Sequence, residues 1–285
     1  MIDLHTHSNC SDGTDPPERI PELAAAAGCA AVALTDHDTL AGVELARARA
    51  DELGIELVAG CEVSCRFRAA SAHVLVYFVE PAEVRSQPLQ EELARLRDDR
   101  VARNHRLADR LEELGIPISY EEIVAEAAGE ESAGRPHVAA LLVRRGLAGS
   151  IPDAFDRWLG EGRPAYVAKA RLAPAEIAAA AHASGGAAVL AHPLSLGLDM
   201  PELDDVAAEL SGAGFAGIEA YYGGYTPAER AGLVAVARRN GLVPTGGSDY
   251  HGTVKADLRP GTGEGDLCVP DSVLAELRDR RPGAR

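Results

Sequence analysis

The first residues of the chain, MIDLHTHSNCSDG, place two imidazoles and a carboxylate directly after a short apolar run. His5 and His7 are two residues apart, so in a β-strand their side chains face the same side and can bind one ion together. Asp12 follows in a Ser-Asp-Gly turn. Imidazole with carboxylate is a typical ligand set for Zn, Mn or Fe. A His-x-His pair alone is weak evidence for a metal site. The case for a metal site therefore depends on the residues at the ends of the other apolar runs.

Further short apolar runs begin or end at side chains with the same chemistry. These side chains are His37, Glu62, His73, His192, Asp249 and His251. Glu62 is expected to end the third strand, and His73 is expected to begin the fourth. Polar residues at the carboxyl ends of parallel strands meet at one rim of an α/β barrel. The candidate ligands are too many for one ion, and they predict a cluster of two or three divalent cations, Mn, Fe or Zn.

The elements that position these residues alternate between strands and alanine-rich helices. PPERIPELAAAAG, LAGVELARARADELG and PAEIAAAAHASGG each read as a helix that ends at glycine. This alternation predicts parallel βα units in an α/β fold. About seven strands can be counted, which favours closure into a barrel over an open sheet.

Residues 88–165 break this alternation, because the segment contains helical patterns and no convincing strand. The stretch from Ser119 to Glu122 has the pattern of a capping box, and RPHVAALLVRRG begins with proline and ends at glycine. We therefore predict an all-helical insertion domain at 88–165, placed between the two parts of a barrel domain, 1–87 and 166–285.

Composition and charge narrow the function classes. The 285 residues are 46% hydrophobic and contain no apolar run of the ~18 residues that a membrane span needs. No signal-peptide pattern is seen, so we expect a cytoplasmic protein without a membrane partner. The five cysteines match no zinc or redox motif, so reduced side chains are expected. A net charge of −16 argues against a protein that coats nucleic acids, although bound cations would allow a small phosphorylated substrate.

Other catalytic chemistries find less support in the sequence. No G-x-S-x-G elbow, P-loop or G-x-G-x-x-G after a strand is present. His105 and His182 lie on predicted helices and are not expected to be ligands. Asp36 either orients a ligand or is a turn carboxylate. An amidohydrolase and a non-catalytic metal-binding module stay open as alternatives.

Several motifs resemble those of the PHP (polymerase and histidinol phosphatase) domain family. They are HTHSNCSDGT, TDHDTLAG, Glu62, His73, AHP at 191–193 and GSDYH at 247–251. GRPHVA at 134–139 and the stretch 166–169 resemble one branch, in which a helical insertion covers the barrel mouth. That branch includes nucleoside 3′,5′-bisphosphate phosphatases, 5′–3′ exoribonucleases and a cyclic-phosphate dihydrolase. The resemblance implies a distorted seven-stranded (β/α)7 barrel with a trinuclear metal centre.

The resemblance also implies roles for individual residues. The first metal site would use His5, His7, Glu62 and Asp249; the second Asp12, His37 and His251; the third Glu62 as a bridge with His73 and His192. Arg135 and His137 match positions that contact substrate phosphate, and Lys169 would be a third contact. Where the bisphosphate phosphatases have Gly-Arg-Tyr after their late His-Pro, this chain has Leu194-Ser195, so that arginine is missing.

The expected function is therefore a metal-dependent phosphoesterase. A metal-bridging hydroxide would attack phosphorus, Arg135 would add positive charge, and His192 or His137 would protonate the leaving group. The expected substrates are phosphomonoesters of small nucleotides, such as nucleoside 3′,5′-bisphosphates or nucleoside monophosphates. The alternative is a phosphodiesterase that acts on cyclic phosphates or an exonuclease on short oligonucleotides. No stable protein partner is implied.

Overall fold

A computed structural model describes residues 1–68, 70–83, 86–127, 133–168 and 172–283. The contacts divide the chain into two compact units, one formed by 1–93 and 171–285 and the other by 94–170. Each unit has an apolar cluster of its own. Among the helices of the described residues, none combines the length and the apolarity of a membrane span. The cytoplasmic location expected from the sequence stays a prediction.

The first unit contains one seven-stranded sheet, whose strands are paired in chain order. The strands are β1 (Ile2–Asp3), β2 (Ala31–Leu34), β3 (Glu56–Phe67), β4 (Ala70–Tyr77), β5 (Ala187–Leu190), β6 (Gly217–Tyr222) and β7 (Val243–Gly247). The N–H of Leu4 donates to the carbonyl of Gly246, and the N–H of Asp249 donates to that of His5. These bonds bring the first strand beside the last, so the sheet is nearly closed. The predicted class, a seven-stranded α/β barrel, is confirmed.

The described residues contain ten α-helices. They are α1 (Arg19–Ala26), α2 (Val43–Leu53), α3 (Gln87–Glu113), α4 (Tyr120–Glu126), α5 (Arg135–Arg144), α6 (Ile151–Ala154), α7 (Pro174–Ala183), α8 (Met200–Gly212), α9 (Pro227–Arg239) and α10 (Ser272–Asp279). The three alanine-rich helices predicted from the sequence are confirmed as α1, α2 and α7. The C-cap residue of α2, Gly54, has φ +69°, a conformation that glycine adopts without steric cost.

Strand β4 runs antiparallel to both of its neighbours, β3 and β5, whereas the other paired strands are parallel. The expectation of parallel βα units is therefore wrong at β4. Only residues 68 and 69 separate β3 from β4. Parallel strands need a crossover of about a dozen residues, so a connection this short can join only antiparallel strands. The reversal places the first half of β4 at the rim where the parallel strands end.

Strand β3 is much longer than its apolar run indicates, and Glu62 lies within it rather than at its end, which corrects the prediction. Pairing of β3 with β2 ends where Leu34 lies opposite Ala59. Pairing with β4 continues from Gly60 to Phe67, so the hairpin extends the strand beyond the end of β2. The apolar run 57–59 covers only the part of β3 that also pairs with β2. Hydrophobicity alone therefore underestimates the length of this strand.

In the second unit, the regular secondary structure of the described residues, 94–127 and 133–168, is helical. Its apolar cluster is formed by side chains such as Leu107, Leu111, Ile123, Leu142 and Leu159. The predicted capping box is confirmed: Ser119 Oγ accepts the N–H of Glu122 at 3.2 Å, and Glu122 Oε2 accepts the N–H of Ser119 at 3.0 Å. The domain boundaries proposed from the sequence, and the role of this segment as a lid, stay predictions.

Candidate metal centre

All nine side chains predicted to bind metal lie in the first unit and converge at one end of its sheet. His5, His7 and Asp12 follow β1, His37 follows β2, Glu62 lies on β3, His73 on β4, His192 follows β5, and Asp249 and His251 follow β7. The parallel strands supply residues from their carboxyl ends. The sequence predicted that His73 begins the fourth strand, but the antiparallel β4 begins at Ala70, and His73 pairs with Ser64 of β3 in its first half. The strand directions therefore explain why residues far apart in sequence meet.

The deepest group has four donor atoms, one each from His5, His7, Glu62 and Asp249, and these side chains are 0–3% exposed. His5 Nε2 lies 3.1 Å from His7 Nε2 and 3.3 Å from Glu62 Oε2. Asp249 Oδ1 lies 3.4 Å from Nε2 of each histidine. Two ligands that each lie ~2.0 Å from a tetrahedral ion are ~3.3 Å apart. The donor atoms therefore have the spacing of a metal site.

The carboxylate of Glu62 joins this group to a second one. Its Oε2 faces His5 and His7, while its Oε1 lies 2.9 Å from His73 Nδ1 and 2.9 Å from His192 Nε2. The two nitrogens of that pair are 3.3 Å apart. A carboxylate whose two oxygens face different sets of imidazoles has the geometry of a bridging ligand.

A third group lies on the more exposed side of the cluster, where the Asp12 side chain is 53% exposed. Asp12 Oδ1 lies 3.2 Å from His251 Nε2, and Asp12 Oδ2 lies 3.6 Å from His37 Nε2. His7, which also belongs to the deepest group, presents its Nδ1 3.8 Å from Asp12 Oδ1. His37 presents its Nδ1 3.3 Å from Glu62 Oε2. The three groups therefore share residues and form one continuous cluster.

Several donors are held from behind by a second set of contacts. The Nδ1 of His251 donates to the carbonyl of Asp249 at 2.8 Å, which leaves its Nε2 for Asp12. The Nδ1 of His192 lies 3.0 Å from Ser195 Oγ. Such contacts fix which ring nitrogen faces a metal and how the ring is oriented. No sequence motif marks these contacts, so the residue types alone do not predict them.

The turn that carries Asp12 is held by Asp36. One carboxylate oxygen of Asp36 accepts the N–H of Ser8 at 2.7 Å and the hydroxyl of Ser11 at 2.6 Å, and the other accepts the hydroxyl of Ser8 at 2.6 Å. Of the two interpretations open for Asp36, the structure favours a positioning role, since the bonded turn presents Asp12 to the cluster.

Mutual electrostatics keep the buried carboxylates ionised. Burial opposes the charge of Glu62, but the imidazoles of His37 and His73 hold its pKa well below the usual range. Burial likewise acts to lower the pKa of His7, yet the carboxylates of Asp249 and Glu62 outweigh it and raise that pKa to about 9. For His37, burial prevails and lowers the pKa to about 4. The cluster thus combines charged carboxylates with imidazoles in different protonation states.

Two buried nitrogens show that hydrogen bonding within the protein does not satisfy this cluster. Among the described residues, Nδ1 of His7 and Nδ1 of His37 are buried and have no hydrogen-bond partner, because the carboxylate oxygens 3.8 Å and 3.3 Å from them do not have the geometry of a hydrogen bond. Buried polar atoms of this kind are rare and call for an explanation, such as an ion. Imidazole and carboxylate donors at these spacings suit divalent cations. The residues therefore fit a metal centre, while the assignment of each ligand stays a prediction.

The residues predicted to contact phosphate lie in or near the second unit. Arg135 begins α5, where its guanidinium donates to the carbonyl of Leu159 at 3.3 Å and lies over the rings of Phe155 and Tyr166. His137 is in the first turn of the same helix. Lys169 lies outside the described residues. The phosphate contacts of all three stay predictions.

Comparison with known proteins places this architecture in a family. Residues 3–110 match the PHP domain. A 5′–3′ exoribonuclease of Haemophilus influenzae is 34% identical over 250 residues, which cover 87% of this chain and 89% of that protein. A 3′,5′-nucleoside bisphosphate phosphatase of Chromobacterium violaceum is 30% identical over 283 residues, which cover 99% of this chain and 98% of that protein.

Two solved structures resemble the whole chain. A Bifidobacterium adolescentis protein described as a metal-dependent phosphoesterase has a TM-score of 0.80 at 30% identity, covering 98% of this chain and 96% of that one. An amidohydrolase of Chromobacterium violaceum has a TM-score of 0.79 at 29% identity, and the match covers 100% of this chain and 98% of that one. The chain belongs to the PHP domain family. It is a hydrolase of the metal-dependent phosphoesterase class, as predicted.

Proposed function

We propose that this protein hydrolyses phosphomonoesters of small nucleotides, with nucleoside 3′,5′-bisphosphates and nucleoside monophosphates as substrates. The bisphosphate phosphatase of Chromobacterium violaceum, which aligns over 98% of its length, supports this substrate class. The observation that carries the proposal is Glu62, whose two oxygens face two different sets of imidazoles. A carboxylate shared between adjacent ions is the arrangement that suits in-line displacement at phosphorus.

In this proposal the chain holds two or three divalent ions, Mn, Fe or Zn. Their ligands are His5, His7, Glu62 and Asp249 for the first, Asp12, His37 and His251 for the second, and Glu62, His73 and His192 for the third. Ions held there would supply Lewis acidity toward water and toward the phosphate oxygens. The protein supplies buried, pre-oriented donors, since the side chains of the deepest group are 0–3% exposed.

The substrate phosphate would be bound by Arg135, whose planar guanidinium matches two phosphate oxygens. Its stacking on Phe155 and Tyr166 limits the positions that this long side chain samples. His192 is engaged at both ring nitrogens, by Glu62 and by Ser195. We therefore assign His192 to ion binding and His137 to protonation of the leaving group, with Lys169 as a further phosphate contact.

The test is release of inorganic phosphate from a nucleoside 3′,5′-bisphosphate, with Mn²⁺ and after chelation. We expect release with the metal and loss of it after chelation, and equal release in both would contradict the proposal. His192→Gln should abolish release, whereas His182→Gln, which changes an exposed histidine on α7, should leave it unchanged.

A second candidate is 5′–3′ exonuclease action on short oligonucleotides. Two observations favour it: the Haemophilus influenzae exoribonuclease covers 87% of the chain, and Leu194-Ser195 follows the late His-Pro where an arginine is expected for a second phosphate. Product analysis separates the candidates. A 5′-phosphorylated RNA yields nucleoside monophosphates if the enzyme cleaves diesters, and inorganic phosphate if it cleaves monoesters. A cyclic phosphate serves as a third substrate, which tests the remaining diesterase alternative.

A further inference from the structure

Glu219 on β6 is fully buried and contacts two residues of the metal centre at once. Its Oε1 accepts a hydrogen bond from His5 Nδ1 at 2.8 Å. Its Oε2 accepts one from the backbone N–H of His192 at 2.7 Å. A single carboxylate therefore contacts a residue that follows β1 and a residue that follows β5.

The contact to His5 determines which nitrogen of that ring faces the cluster. A carboxylate accepts hydrogen bonds, so the proton of His5 must sit on Nδ1. In the neutral ring, which is the form that binds a metal, the lone pair of Nε2 then faces His7, Glu62 and Asp249 at 3.1–3.4 Å. The opposite tautomer would place a proton among these donors and would leave Glu219 without its partner. A carboxylate behind an imidazole also raises the basicity of that ligand.

The contact of Glu219 to His192 is made to the backbone N–H of His192 and restrains its backbone conformation. His192 has φ +26° and ψ +62°, in the left-handed region that residues other than glycine rarely adopt. Such conformations persist only where the surroundings hold them. The hydrogen bond from His192 N–H to Glu219 is one such restraint, and it presents the imidazole to Glu62 and His73.

An irregularity in β6 explains how one strand can contact the cluster twice. The pairing of β6 with β7 shifts register between Glu219 and Tyr221. In a regular strand, residues 219 and 222 would face opposite sides. Here both contact the cluster, because the hydroxyl of Tyr222 donates to Asp249 Oδ2 at 2.7 Å. Bulges next to active sites often redirect side chains in this way.

We propose that Glu219 is a positioning residue of the metal centre, which sets the tautomer of His5 and the backbone of His192 so that both rings meet the ions. This inference rests on the proposed function, because it assumes that the cluster binds metal. It goes beyond the motif ligands, since no motif includes Glu219, which contacts the Nδ1 of His5 and the backbone N–H of His192 rather than the donor atoms of the cluster.

The experiment compares Glu219→Gln with wild type and with Glu209→Gln, which changes an exposed carboxyl paired with Arg68. Glutamine has the size of glutamate, but its one carbonyl oxygen can replace only one of the two accepted bonds. The readouts are Co²⁺ affinity, measured against a competing chelator, and the visible spectrum of bound Co²⁺. Thermal unfolding of the metal-free proteins reports the fold separately.

We expect Glu219→Gln to fold and to bind Co²⁺ roughly 10- to 100-fold more weakly with an altered spectrum, while Glu209→Gln matches wild type. Wild-type affinity and spectrum in Glu219→Gln would overturn the inference. Failure of the wild-type protein itself to bind metal would instead refute the proposed function.

If Glu219→Gln does not fold, ¹⁵N-histidine NMR of the zinc-loaded wild-type protein tests the inference by locating the proton on the His5 ring. A proton on Nδ1 of His5 supports the inference, and a proton on Nε2 overturns it.

Discussion

The two units of the chain have opposite relationships between charge and burial. In the barrel unit, ionisable side chains such as His5, Glu62 and Glu219 are almost completely buried and contact one another. In the described part of the helical unit, ion pairs such as that of Arg110 with Glu113 are exposed, and the buried cluster is apolar. Acidic and basic residues nearly balance over 94–170, so almost all of the net charge of −16 belongs to the barrel unit.

This difference indicates that the two units contribute differently to the function. Buried carboxylates are costly unless paired or bound to cations, so their concentration in the barrel indicates where the ions belong. Among the described residues of the helical unit, Arg103 is a buried charged side chain, but the unit as a whole is nearly neutral, which would suit the proposed contacts to an anionic substrate. We therefore expect changes in the barrel to act on metal binding and turnover, and changes at Arg135 in the helical unit to act on substrate affinity. His137, as the proposed acid, would affect turnover without changing the metal content.

The largest effect is expected from Glu62→Gln. The amide loses the charge and one of the two acceptor oxygens that face different imidazoles. Turnover should fall at least about a thousandfold, with loss of bound metal measured by elemental analysis. Glu80→Gln, which changes a partly exposed carboxyl paired with Arg47, is the control and should retain activity. Comparable activity in both variants would contradict the assignment of metal binding and turnover to the barrel unit.

The next effect is expected from Arg135→Ala in the helical unit. Loss of a charged contact to phosphate should raise KM roughly 10- to 100-fold while metal content stays at the wild-type level. Arg144→Ala is the matched control, because Arg144 lies on the same helix and its side chain is 64% exposed. A fall in metal content or in kcat alone would show that the two units do not divide the function in this way.

The barrel should also couple metal affinity to pH. In the metal-free protein the pKa of His7 is raised to about 9, so this imidazole is protonated at neutral pH. Ion binding must then expel the proton, and affinity should fall as pH falls from about 9, about tenfold per pH unit for each proton released. Calorimetry in two buffers of different ionisation enthalpy measures the release. Binding without proton release would show that His7 is not a ligand.

The smallest effect is expected from Tyr222→Phe. The hydroxyl of Tyr222 and the ammonium of Lys255 both contact Asp249 Oδ2, so one donor remains when the other is removed. The loss should be about 1 kcal/mol, or roughly fivefold in metal affinity. An effect as large as that of Glu62→Gln would mean that Tyr222 itself binds metal or substrate.

The sequence predicted the barrel class and the nine candidate ligands because His, Asp and Glu at strand ends are visible as residue types. It predicted α1, α2 and α7 for a similar reason, since proline and glycine mark helix ends locally. The direction of each strand within the sheet was harder to predict from the sequence. The antiparallel β4 follows from a two-residue connection, whereas the apolar runs around it look the same in either direction.

The contacts behind the ligands could not be predicted in the same way. Glu219 follows the apolar run 215–218 as Glu62 follows its own run, and nothing in the residue type tells a ligand from the partner of a ligand. What distinguishes them is the register shift in β6 and the long-range contacts to His5 and His192. The contact to His5 joins β6 to the residue that follows β1, and it forms only when the sheet closes.

The metal centre is tested most directly by anomalous diffraction from crystals soaked in Mn²⁺. We expect a manganese peak among the donor atoms of His5, His7, Glu62 and Asp249, at about 2.1 Å from each. Manganese bound only elsewhere, with no peak within about 3 Å of these four side chains, would contradict this expectation.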